Sequence, residues 1–245
     1  MKAEPSEQHQ LITLADIDTG LAQADHRRSH LPEQAELDAA EQEVATRSVA
    51  VQEAERTVAE LSAQQEAADA EVEAVRSRIE RNRALMDTVR VAKELEGLQH
   101  EMNSLRERQT QLEDAELEVM EQVEEAEAVL AGARKSLASG AQTRDEVLSR
   151  RDEALQSVAE EEASLRARRG EVGATVSAEL LSEYERVRVR VGDPGAAMLR
   201  RGRCEGCHLE LAATALNDLR HLPADQLAYC EECERILVRD ETSGL

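Results

Sequence analysis

All four cysteines of the chain fall near its C-terminus as two Cys-x-x-Cys pairs, Cys204 and Cys207 in "CEGCHLEL" and Cys230 and Cys233 in "YCEECERILV". Two residues between cysteines let both thiolates face one ion from a tight knuckle. Two knuckles complete a tetrahedral sulfur shell at about 2.3 Å, the closed arrangement of structural zinc. One structural Zn2+ is therefore expected on Cys204, Cys207, Cys230 and Cys233, as a fastener with no open position for water. A thioredoxin-like pair needs a βαβ context that is absent here. A RING-type module needs eight ligands, and four cysteines with His208 and His221 fall short of that. His208 is read as an outer or surface residue rather than a ligand. An extra turn or loop in "ALNDLRHLPADQ" absorbs a spacer slightly longer than zinc ribbons usually have.

The rest of the chain has little with which to build a globular core. Of 245 residues about a third are charged, Tyr184 and Tyr229 are the only aromatics, and the apolar residues are mainly Ala, Leu and Val among Glu, Gln and Arg. That composition favours long helices. Leu37, Val44, Val51, Val58, Val72, Ile79 and Met86 recur at heptad spacing, accompanied by Ala40, Ala54, Leu61, Ala68, Val75 and Val89. Arg47 and Asn82 interrupt the second series. Leu98, Leu105, Leu112 and Val119 supply a second seam, so the pattern predicts an antiparallel coiled-coil hairpin, the rival being an intermolecular coiled coil of continuous helices.

A reversal near residue 87 sets Val75 beside Leu98, Ala68 beside Leu105, Leu61 beside Leu112 and Ala54 beside Val119. It also places Pro32 level with Gly140, where a bend is expected, and packs Leu11, Leu14, Ile17 and Leu21 against the region of Leu148, Leu155 and Val158. The predicted arm spans residues 1–191, with its tip near 83–91. Glycine and proline in "VGDPGAAMLRRGRC" mark a boundary at 192. Residues 192–245 then form a C4 zinc ribbon, with "HLEL", "QLAY" and "RILV" as β-prone pieces. The expected fold is mostly α, a long antiparallel coiled-coil hairpin with a small C-terminal β zinc ribbon.

The net charge of −22 is read chiefly as the solvated outer face of long helices, and it weakens any nucleic-acid role for the whole chain. One stretch inverts that sign: Arg186, Arg188, Arg190, Arg200, Arg201 and Arg203 stand against a single acid, Asp193. These arginines suit RNA or DNA phosphates, or else neutralise the acidic arm beside the ribbon. No nucleophile motif, phosphate-cradling loop or histidine–carboxylate pair marks an enzyme. No signal segment or membrane-length apolar run is found, so a cytoplasmic protein with no membrane contact is expected.

The motifs "LADIDTGL" and "LPE" near the start, "AKELEGLQHEMNSL" after the tip, and "CEGCHLEL" with "CEECERILV" at the end resemble the bacterial C4-type zinc-ribbon coiled-coil family. In that family the second knuckle usually reads CxxCGR, whereas here Glu234 stands at the glycine position. The resemblance implies interaction rather than chemistry, since similar proteins are linked to RNA, to an alternative sigma factor and to secretion-associated partners. The expected function is a non-enzymatic adaptor, with the ribbon as docking module and the arm as a possible protein-binding rod. The alternative is a scaffold that binds protein alone. Association of whole hairpins stays open.

Overall fold

The computed structural model describes residues 1–192 and 194–245. Helix α1 (Pro5–Ser29) is followed by α2 (Pro32–Met86), the long return helix α3 (Ala92–Gly173) and α4 (Ala178–Val191). The ribbon comprises β1 (Ala196–Arg200), β2 (Arg203–Cys204), α5 (Ala213–His221), β3 (Ala228–Tyr229) and β4 (Ile236–Val238). The chain is thus mostly helical, a long hairpin with a small strand-rich C-terminal region, as the heptads and knuckles indicate. Pro32 opens α2, where a missing amide costs no intrahelical bond. None of the described helices is long and apolar enough to cross a membrane.

The described residues form two compact units, Met1–Gln34 with Ser149–Leu245, and Ala35–Leu148. The second is the hairpin proper, and its register differs from the expected one. Val51 and Ala54 cluster with Leu130, flanked by Val58, Ala133 and Leu137, so Ala54 sits not beside Val119 but eleven residues further along α3. Ion pairs from Arg134 to Glu55, Arg76 to Glu113 and Arg108 to Glu71 fall in the same displaced alignment. A seam that recurs every three to four residues meets its partner seam equally well after a slide of about eleven, so apolar patterning leaves register open.

Of the two seam interruptions, Arg47 is explained by the true register. Arg47 lies over Gly140, where a Cβ would come within 3.0 Å of its Nη1, and that nitrogen donates to the Ser136 carbonyl. Gly140 therefore accommodates Arg47, and α3 runs unbroken through it. Asn82 is buried near the tip beside Glu101, whose carboxylate accepts two hydrogen bonds from Arg78 and is held below its ordinary pKa by that pairing.

In the other unit, Leu11 and Leu14 of α1 do not meet Leu155 and Val158. They share a core with Leu180, Tyr184 and Val187 of α4 and with Ala196, Leu227 and Ile236 of the ribbon. The four-stranded sheet has the order β2-β1-β4-β3, with β1 and β4 parallel and the outer pairs antiparallel. Strand β1, "AAMLR", was not anticipated. "HLEL" forms only an isolated bridge, Arg203 to Glu210, and "ALNDLRH" is helical. The N-terminus joins the ribbon: the Ala3 amide donates to Asp225 O and the Leu227 amide to Met1 O. Arg239 donates to the carbonyls of Leu219, Leu222, Pro223 and Gln226, fixing the C-terminal end of α5 and the segment that leads to the second knuckle.

The register is checked by crosslinking. In zinc-loaded protein at low concentration, exposed cysteines replacing Glu55 and Arg134 should be joined within one chain by a short bismaleimide. Cysteines replacing Glu55 and Glu118, opposed in the heptad-derived register, should not be.

Candidate metal centre and its neighbouring arginines

The two knuckles repeat one backbone design. In the first, the Cys204 amide donates to Leu209 O and the His208 amide to Cys204 O; in the second, the Cys230 amide donates to Arg235 O and the Glu234 amide to Cys230 O. Each knuckle closes on a residue with positive φ, His208 at 61° and Glu234 at 60°, where glycine is the least strained choice. His208 is exposed and contributes its backbone, not its ring. The Glu234 side chain pairs with Arg190 at 2.9 Å.

These turns bring the four sulfurs to within 4.8 Å of one another, with 3.9 Å between Cys204 and Cys233 and 3.8 Å between Cys207 and Cys230. A tetrahedron of thiolates at about 2.3 Å from zinc has edges of about 3.8 Å, so the cluster fits one ion without rearrangement. None of the four forms a disulfide. Burial pushes the Cys204 thiol up to about 12 and also raises Cys230. Burial acts on Cys233 in the same sense, but hydrogen bonds from the Arg235 amide and side chain bring it below its ordinary value. A pocket that resists holding several thiolates alone is one in which a dication supplies the missing charge.

The ribbon's attachment depends on residues that sequence reasoning passed over. Asp18, 3% exposed on α1, accepts hydrogen bonds from Tyr184 Oη at 2.7 Å and from Arg169 Nε, while Arg169 also bonds Glu185. The hydrogen bond to Asp18 raises the Arg169 pKa, and burial followed by the same carboxylate raises that of Tyr184. Gly195 is required where the chain leaves α4, because a Cβ there would lie 2.9 Å from Tyr184 O and 3.0 Å from Arg188 N. The visible signal was "LADIDTGL": it contains Asp18, whose charge is out of place on an apolar helix face.

The six arginines separate into two groups. On α4, Arg186 is held by Glu183, Arg188 by Glu185 and Asp18, and Arg190 by Glu234. Arg200, Arg201 and Arg203 occupy the β1–β2 hairpin, lining a cleft of about 530 Å³ with Glu205, Glu210 and Thr242. Arg203 Nε donates to the His208 carbonyl, and none of the three forms an ion pair among the described residues. Arg201 and Gly202, with φ of 50° and 74°, form the two-residue loop characteristic of type I′ turns. The C-terminal segment fixes that turn, with the Arg201 amide donating to Thr242 O and the Gly202 amide to Ser243 O. Asp193 lies outside the described residues.

Fold and site together define a protein that combines a coiled-coil hairpin with a zinc ribbon. Residues 14–192 match the CT398-like coiled coil hairpin domain and residues 203–237 the C4-type zinc ribbon domain. The chain belongs to the CT398-like coiled-coil hairpin family, and its four clustered cysteines make a site for one zinc ion. It is 35% identical to the uncharacterized protein Rv2229c of Mycobacterium tuberculosis, over 98% of each chain. A solved structure from Mycobacterium smegmatis shares 31% identity over 98% of this chain and all of its own, with a TM-score of 0.85. CT398 from Chlamydia trachomatis, 22% identical over 95% of this chain and 97% of its own, shares the fold with a TM-score of 0.62.

Metal analysis should find one zinc per chain. Cys230→Ser should release it and remove hydrogen-exchange protection from residues 196–238, while protection across 35–148 persists, because a zinc module folds on its metal. At the second knuckle, Glu234→Gly should exceed Glu234→Ala in stability by about 1 kcal/mol in denaturant titrations, since only glycine relieves the positive φ.

Proposed function

We propose that this protein is a non-enzymatic adaptor whose zinc ribbon contacts the phosphate backbone of RNA or DNA, with the helical arm available to a protein partner. The observation that carries this reading is the division among the arginines. Those on α4 are committed to carboxylates, whereas Arg200, Arg201 and Arg203 stand on a hairpin fixed on both sides and face outward without ion-pair partners. A rigid, positively charged turn in a protein of net charge −22 attracts phosphate locally while the rest of the surface repels it. Backbone contact, not base reading, follows from the aromatics: Tyr184 is fully buried and Tyr229 donates to Glu183, so neither offers a stacking platform. The non-enzymatic reading is supported by a sulfur shell with no open position and by the commitment of the buried Asp18 to Tyr184 and Arg169.

In fluorescence anisotropy with short RNA and DNA duplexes, binding should be indifferent to sequence and fall with salt at a log–log slope of about −2 to −3, for roughly three phosphates. Replacing Arg200, Arg201 and Arg203 with glutamate should abolish it with zinc content unchanged, whereas Arg186→Glu should leave it nearly intact. No binding by the unaltered protein at low salt would remove the nucleic-acid reading.

A further inference from the structure

The hairpin unit carries two surfaces of opposite charge. From residue 81 to 93 the tip presents Arg81, Arg83, Arg90 and Lys93 against the single acid Asp87. All four cations are exposed, and none has a carboxylate partner among the described residues. Between them Leu85 and Val91 are 51% and 53% exposed. Further along α3, residues 113–127 hold eight acids and no base. There Leu117 is 57% and Met120 37% exposed, while Val123, Ala126 and Leu130 are buried. Leu117, Glu121 and Glu124 share the helix face opposite those buried positions. Glu113 of this stretch is paired with Arg76, but Glu118, Glu121, Glu124 and Glu125 form no ion pair among the described residues. At the same level Asp69 abuts Glu116 and raises its pKa, a sign of negative charge without a neighbouring cation sufficient to balance it.

We propose that two copies of the chain associate antiparallel through their arms, the basic tip of each seated on the acidic face of the other's α3. Each surface has what an interface needs, an apolar centre with a charged margin, and each supplies the charge that the other lacks. The tip and Glu121 are about 45 Å apart along α3, so one two-fold arrangement satisfies both tips at once and closes on itself. Two hairpins lying side by side over that span cover on the order of 800 Å² each, the size of a stable interface. Residues 36–73 of α2 hold eleven acids against two bases, Arg47 and Arg56, and repel the acidic face of a second copy, which disfavours alignments that oppose them. This inference does not rest on nucleic-acid binding by the ribbon, and its test is read without nucleic acid.

Sedimentation velocity of the full zinc-loaded chain at low salt should show a dimer that dissociates as salt rises. A tip variant, Arg83→Glu with Arg90→Glu and Lys93→Glu, and a face variant, Glu121→Lys with Glu124→Lys and Glu125→Lys, should each raise the dimer dissociation constant at least about tenfold. All six positions are exposed, and circular dichroism should confirm unchanged helicity. Mixed in equal amounts, the two variants should form a heterodimer of near-original affinity, because both reciprocal contacts regain opposite charges. A monomer under all conditions, a dimer indifferent to tip reversal, or a failure of the mixture to associate would overturn the proposal. So would a monomer that binds anionic vesicles or duplex RNA through the same tip arginines, since the tip would then have another occupant.

Discussion

Convergence of two identical knuckles on one cation is the constraint on which the ribbon depends. Four thiols are gathered within 4.8 Å, and burial holds two of them, Cys204 and Cys230, away from the thiolate state. A dication reverses that preference, and with it the ends of β2 and β3 become fixed points. Strands β1 and β4 then lie between those points with Leu199, Ile236 and Leu237 fully buried. The consequences reach beyond the ribbon. Ala196, Leu227 and Ile236 complete the core that Leu11, Leu14 and Tyr184 begin, so the metal-held sheet is also the surface on which α1 and α4 are packed.

The polar groups at that junction act in the same direction. Asp18 is buried on a helix face that would otherwise be apolar, and it is tolerated because Tyr184 and Arg169 satisfy its oxygens. Arg239 does the equivalent for four carbonyls around the end of α5. These contacts define one geometry where apolar packing alone would allow several. They also explain why the arginines near the ribbon are not equivalent: those on α4 belong to the junction, and those on the β1–β2 hairpin do not.

Much of this was legible in the sequence, for reasons that also mark the boundary of what was not. Cysteine spacing specifies a closed four-sulfur site because few other arrangements use that pattern. Heptads require a partner seam because one helix cannot bury its own, and a second run on the same chain favours a hairpin over an intermolecular coiled coil. Register was not legible: Ala54 meets either Val119 or Leu130 with equal apolar logic, and only the turn geometry decides. Arg47 and Gly140 showed as isolated anomalies in two helices, and their complementarity emerges only when the helices are correctly aligned. Strand β1, rich in alanine, carries no strong β signal and is extended because β4 pairs with it. Asp18 was in view within "LADIDTGL", but the partner that makes its burial possible lies 166 residues away.

Zinc K-edge X-ray absorption of the full-length protein tests the central claim most directly, because it counts the ligands on which knuckles, sheet and shared core depend. Four sulfur neighbours at about 2.3 Å with no nitrogen or oxygen in the first shell is the expected result. A shell containing a histidine nitrogen or a water, or fewer than four sulfurs, would contradict the closed site and the fold built upon it.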